Sequence, residues 1–145
     1  MGNKVKVVCV KCGITNHYPL DALGKKIVCG RCRHPLSEPG SILEPLPGQF
    51  STLYHKSSLP VLVYFFSQTC VHCQGMEPIL ARLAQEGSGR IMALKANLDT
   101  HAGLGVSLGV QGVPTFIVIH RGIEKGRQTG AVPESDLSRW LSNLT

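Results

Sequence analysis

The six cysteines of the chain fall as three Cys-x-x-Cys pairs, Cys9/Cys12, Cys29/Cys32 and Cys70/Cys73, and their spacing constrains the fold more tightly than any other feature. Sixteen residues separate Cys12 from Cys29. Each of these first two pairs makes a tight knuckle whose thiolates point at one centre, and two knuckles at this distance supply the four sulfurs of a closed tetrahedral metal site. The third pair stands alone. It follows the apolar run Leu59-Pro60-Val61-Leu62-Val63-Tyr64-Phe65-Phe66, which reads as a buried strand, and opens a segment with Cys73, Met76, Leu80 and Leu83 on one helical face. Two cysteines three positions apart in a first helical turn share a face at a separation that suits a disulfide. Cys70 and Cys73 can therefore open and close with little backbone movement.

Charge divides the chain in two. Lys4, Lys6, Lys11, Lys25, Lys26, Arg31 and Arg33 stand against Asp21 alone in residues 1–36, so the whole formal charge of +6 lies there. Residues 37–145 carry eight basic and eight acidic side chains and are formally neutral. This asymmetry implies two modules, with any attraction to an acidic partner residing in the first. The opening Met1-Gly2-Asn3-Lys4-Val5-Lys6-Val7 has no apolar h-region, and no stretch approaches the roughly 18 apolar residues of a membrane span. The expectation is a soluble, cytoplasmic protein without an export signal or membrane association. In that compartment thiols stay reduced, so metal binding and catalysis are the leading uses of the cysteines.

For the first module the reading is structural zinc on Cys9, Cys12, Cys29 and Cys32. Val5, Val7, Ile27 and Val28 ahead of the knuckles predict short strands, and hence a zinc ribbon over residues 1–36. So small a module cannot bury enough apolar surface to fold unaided, and the metal supplies much of its folding free energy. The rivals are rubredoxin-like iron and two further redox pairs. A rubredoxin core is rich in aromatic residues, whereas this segment has only Tyr18.

Residues 37–47, with Pro39, Gly40, Pro45 and Pro47, predict a linker in which Ser41-Ile42-Leu43 forms an edge strand. The larger domain then spans 48–145. Phe50, Leu53 and Tyr54 mark its first helix; Arg90–Asn97 and Thr115–Ile119 read as strands, and His101–Leu108 as a weak helix. A turn at Arg121-Gly122 leads into Ile123–Thr129, and Leu137, Trp140, Leu141 and Leu144 give a closing helix after Pro133. Strands alternating with helices, then a hairpin and a helix, predict an α/β sheet covered on both faces.

On Cys70 and Cys73, Pro78, Lys95 in Lys95-Ala96-Asn97-Leu98-Asp99, Gly112-Val113-Pro114-Thr115 and Gly130, the chain resembles the thioredoxin family. The layout as a whole is similar to those bacterial members in which a four-cysteine zinc module precedes the thioredoxin domain. The resemblance implies a thioredoxin fold, a central mixed sheet flanked by helices, preceded by a small zinc ribbon. It also implies a protein-disulfide oxidoreductase whose cofactors are structural Zn²⁺ and a redox-active Cys70–Cys73 disulfide. Its partners are then proteins bearing thiols or disulfides, and a thioredoxin-reductase-like electron donor. Val113 and Pro114 are implied to join by a cis peptide bond and to receive extended substrate backbone; spacing alone favours a trans proline opening a strand. Three positions depart from the family: Val71-His72 replaces Gly-Pro, Thr69 replaces a tryptophan, and Tyr64 replaces a buried carboxylate that accepts the proton of the second thiol.

A helix N-terminus favours the thiolate, which makes Cys70 the attacking sulfur and leaves Cys73 to resolve the mixed disulfide. His72, placed to add charge near that sulfur, makes the couple more oxidising than a typical thioredoxin; the alternative is an exposed histidine without effect. Tyr64 either fills the core or relays a proton, and Lys95 either assists Cys73 or reaches solvent from a strand end. Two other classes compete with the enzyme. One is a binding or scaffold module in which the basic ribbon docks on an acidic partner; the lack of interleaved aromatic residues speaks against nucleic acid. The other is a redox sensor in which thiol oxidation ejects zinc.

Overall fold

In the computed structural model, residues 4–19, 22, 25–37, 40–45 and 48–145 are described. Pro39 and Pro47 of the expected linker lie outside them. The first part of the chain forms two antiparallel hairpins, β1 (Lys4–Val8) with β2 (Thr15–Pro19) and β3 (Ile27–Val28) with β4 (Pro35–Ser37). Each hairpin turns at a cysteine knuckle. The residue after the second cysteine is left-handed in both, Gly13 at φ 79° and Arg33 at φ 66°, which folds the chain back so that Cys9 N–H bonds to Ile14 O and Cys29 N–H to His34 O. Glycine takes this conformation freely, whereas arginine holds it at a cost of about 1–2 kcal/mol.

The larger sheet has five strands in the order β5-β7-β6-β8-β9. Here β5 is Ile42–Leu43, β6 Val61–Phe66, β7 Met92–Asn97, β8 Thr115–His120 and β9 Ile123–Thr129; β5, β7 and β6 run parallel, and β8 and β9 antiparallel to their neighbours. Side chains of β6 alternate between two cores, Val61, Val63 and Phe65 entering one and Leu62 and Tyr64 the other. That two-sided burial is why its sequence is unbroken by polar residues. At about 1.5–3 kcal/mol for each buried large apolar side chain, this strand anchors the domain.

Helix α1 (Phe50–Lys56) presents Phe50, Leu53 and Tyr54 to the first core. Leu104 of α3 (Ala102–Ser107) packs against the same core. On the other face lie α2 (Val71–Glu86), burying Cys73, Met76, Leu80 and Leu83, and α4 (Glu134–Leu144), burying Leu137 and Leu141. Arg82 joins these two helices through a 2.6 Å ion pair with Glu134. The β8–β9 hairpin turns through Arg121 at φ 53° and Gly122 at φ 82°, the positive values a tight two-residue turn requires.

Val5 is 2% exposed and belongs to the first core together with Leu43, Leu53 and Phe65. The ribbon thus contributes a side chain to the larger domain's interior, and Lys6 N–H donates to Gln49 Oε1 at 3.2 Å beside it.

Candidate active site and metal centre

Parallel β6 ends at Phe66, and the chain crosses a short loop to Cys70 at the start of α2. The loop is fixed by Asp99, whose carboxylate accepts from Ser67 Oγ at 3.1 Å and Gln68 N–H at 3.3 Å. Cys70 is the N-cap of α2, with extended backbone, and its Sγ accepts the Cys73 N–H at 3.1 Å. It therefore occupies the position where unpaired helix N–H groups and the positive dipole end favour negative charge. Cys70 and Cys73 form a disulfide with a Cα–Cα distance of 5.3 Å. Cys73 is 3% exposed, while Cys70 is half-buried and both Val71 and His72 are exposed.

Because β8 runs antiparallel to β6, with Thr115 opposite Phe65, the start of β8 lies at the sheet end from which β6 leads to Cys70. Val113 and Pro114 stand immediately before it, joined by a cis peptide bond. Pro114 is buried and Val113 half-buried, and Val113 and Cys70 pack against the same core.

Tyr64 is wholly buried between Phe66 and Phe116, and its hydroxyl donates to the Cys73 carbonyl at 3.0 Å. Burial, and then the negative charge of Glu77, push its pKa far above the ordinary tyrosine range. Lys95 is the residue beside Tyr64 in the parallel register. Rather than reaching solvent, its Nζ lies 2.7 Å from Glu77 and 3.7 Å from Glu44, and 4.7 Å above the Phe66 ring, with only 18% of the side chain exposed. Glu77 escaped the sequence reading, and Asp99 entered it only as the end of the Lys95-Ala96-Asn97-Leu98-Asp99 motif. The legible signal for Glu77 was its position four residues after Cys73, one helical turn along the same face.

The other four cysteines converge. Their sulfurs all lie within 4.8 Å of one another, with Cys9 to Cys32 at 3.6 Å and Cys12 to Cys29 at 3.7 Å. A tetrahedron with metal–sulfur bonds near 2.3 Å has edges of about 3.8 Å, so the donor set fits a four-coordinate thiophilic metal. The backbone N–H groups of Cys32 and Arg31 pull Cys29 down to about 6 against the effect of burial. Although the Ile14 N–H favours its thiolate, burial and the three neighbouring sulfurs push Cys12 up to about 11. Four thiolates so close repel one another, and a bound cation removes that conflict. Asn16 braces the knuckles, its Nδ2 3.6 Å from Cys29 Sγ and its Oδ1 accepting the Gly30 N–H at 3.0 Å.

The family model described as Thioredoxin matches residues 41–143. The chain belongs to the thioredoxin family. Among similar proteins, Thioredoxin C-3 of Corynebacterium nephridii is 29% identical over 138 residues, covering 93% of this chain and 92% of that protein. A match of that extent reaches into the four-cysteine module. Thioredoxin of Acidithiobacillus ferridurans is 30% identical over 103 residues, 71% of this chain and 95% of that one. The solved structure of a mutant thioredoxin from Halobacterium salinarum NRC-1 superposes with a TM-score of 0.65 at 27% identity, covering 74% of this chain and 93% of that one. As a thioredoxin-family protein the chain is a thiol-disulfide oxidoreductase of the kind that acts on protein disulfides. The thioredoxin fold expected from the sequence is the fold found, and among the described residues no helix is long and apolar enough to cross a membrane.

Proposed function

We propose that the enzyme works through Cys70 and Cys73, with Cys70 attacking and Cys73 resolving. The observation that carries this reading is the position of Cys70: half-buried, at the N-cap of α2, its sulfur receiving a backbone N–H while its partner is buried one turn inside. In the reducing direction the Cys70 thiolate attacks a substrate disulfide and releases one substrate thiolate. Cys73 then attacks Cys70 Sγ, closing the protein disulfide and releasing the second. Val113 and Pro114, at the same end of the sheet, receive extended substrate backbone alongside Cys70.

His72, exposed in the first turn of α2 two residues after the attacking sulfur, favours the reduced form and makes the couple more oxidising than a typical thioredoxin. Cys9, Cys12, Cys29 and Cys32 hold structural Zn²⁺, whose four closed positions leave none for substrate. Four cysteines outside any disulfide suit a reducing, cytoplasmic setting, with electrons supplied by a thioredoxin-reductase-like donor. The test is Cys70→Ser, which should abolish turnover of a protein disulfide such as insulin. Activity retained in that variant overturns the assignment.

A further inference from the structure

When Cys73 resolves the mixed disulfide it must act as a thiolate, so its proton needs a destination. The groups facing it from the surrounding elements are few. Tyr64 of β6 has its hydroxyl engaged with the Cys73 carbonyl, and burial keeps it protonated. Lys95 of β7 has its Nζ committed to Glu77, Glu44 and the Phe66 ring, and an ammonium has no acceptor lone pair. His72 is exposed on the outer side of the first turn of α2. Glu77 remains. It lies one turn beyond Cys73 and lines the same cleft of about 570 Å³ as Phe66, Cys70 and Cys73.

We infer that the Glu77 carboxylate, steered by Lys95, takes the proton from Cys73 through water in this cleft and passes it to bulk solvent. The inference rests on the assignment of Cys70 and Cys73 made above. The side chain is suited to both ends of the transfer: its 2.7 Å pair with the mostly buried Lys95 keeps it aimed, and 44% exposure lets the proton leave. A cleft of this volume has room for bridging water, and general-base transfer can run through one water. The step balances as follows. Cys73 S–H gives its proton to Glu77; its sulfur lone pair forms the bond to Cys70 Sγ, and the bond from Cys70 to the substrate sulfur breaks. The substrate leaves as thiolate and takes a proton from solvent. In the oxidising direction each move reverses.

Stopped-flow reaction of the reduced, metal-loaded, full-length protein with 5,5′-dithiobis(2-nitrobenzoate) reads the two steps separately, because each releases one coloured aromatic thiolate. Cys70→Ser identifies any release by other cysteines, and Cys73→Ser isolates the first phase. Glu77→Gln should slow the second phase about 10- to 100-fold at pH 7, and the deficit should shrink as pH approaches the ordinary thiol value of about 8.5. Glu77→Asp should recover part of the rate, which guards against a general folding defect. A second phase within about twofold of wild type, or a deficit of equal size at pH 7 and pH 9, overturns the inference while the first phase stands. Absence of the first phase in the wild-type protein overturns the function assigned to Cys70 instead.

Discussion

In the two knuckles the first cysteine of each pair is the buried one, Cys9 at 1% and Cys29 at 0% exposure, with Cys12 and Cys32 half-buried. At the start of α2 the order is reversed: Cys70 is half-buried and Cys73 is 3% exposed. The motif is identical, so the backbone behind it makes the difference. A hairpin that turns back through a left-handed residue directs sulfurs from two knuckles to a common centre, and each sulfur lies within 3.7 Å of one from the other knuckle. A strand-to-helix junction instead gives one sulfur to the helix N-terminus and hides the other beneath it. The first arrangement suits a closed metal site, and the second suits a pair in which one sulfur meets substrate and the other waits.

The largest test of this contrast is removal of the metal. A chelator, or Cys29→Ser, should unfold the two hairpins, since a structural Zn²⁺ contributes on the order of 10 kcal/mol to modules of this size. Cys70→Ser should leave one metal ion per chain. Metal content and amide dispersion of residues 4–37 by NMR report both results. Because Val5 sits in the core shared with Leu43 and Leu53, metal loss should also lower the larger domain's melting temperature. A domain unaffected by metal loss would mean that the two parts are energetically separate.

A smaller change sharpens the helix side of the comparison. His72→Pro should lower the reduction potential of Cys70/Cys73 by about 30 mV, equivalent to about 1.4 kcal/mol, as measured against a glutathione buffer. An unchanged potential would assign the histidine no electrostatic role, as its exposure to screening solvent allows. Tyr64→Phe removes a buried hydrogen bond to the Cys73 carbonyl and should cost about 1 kcal/mol in urea unfolding. If it instead slowed resolution by Cys73 tenfold, the tyrosine would be a proton relay after all.

Acid should separate the two regions by order of loss. Metal thiolates protonate first, releasing the ion, and loss of the hairpin signals should precede loss of the sheet. In the larger domain, hydrogen bonding and charge from Arg127 and Arg82 hold the Glu124 and Glu134 carboxyls below the usual range. Their stabilisation is complete above the ordinary carboxylate pKa near 4.3 and disappears as pH falls through the lowered values. Both pairs lie near the surface, so this contribution is the smallest, and it should weaken further in high salt. Parallel melts at pH 6 and pH 3 would detect it.

Much of this was legible in the sequence because it was written locally. The apolar run through β6 carried its two-sided burial, Arg121-Gly122 its turn, and the cysteine spacings their knuckles. Other features depend on which elements the topology makes neighbours. Alternation in β1 looks the same whether Val5 faces a ribbon interior or a foreign core. Lys95 at a strand end gave no hint of Glu77, because the pair exists only once α2 covers the end of β7. Tyr64 read slightly better as core filler than as a proton relay, and its hydrogen bond to the Cys73 carbonyl had no mark in the sequence. The cis bond before Pro114 followed from family resemblance, since a trans proline fits the same spacing.

The central claim, that backbone setting reserves one of three identical motifs for electron transfer, is tested most directly by a redox titration in which all six thiols are quantified individually by differential alkylation and mass spectrometry. The account predicts that only the Cys70/Cys73 peptide oxidises, at a potential above the roughly −270 mV of thioredoxin, while Cys9, Cys12, Cys29 and Cys32 stay reduced and metal-bound throughout. Oxidation of those four over the same interval, or a Cys70/Cys73 pair that never cycles, would contradict it.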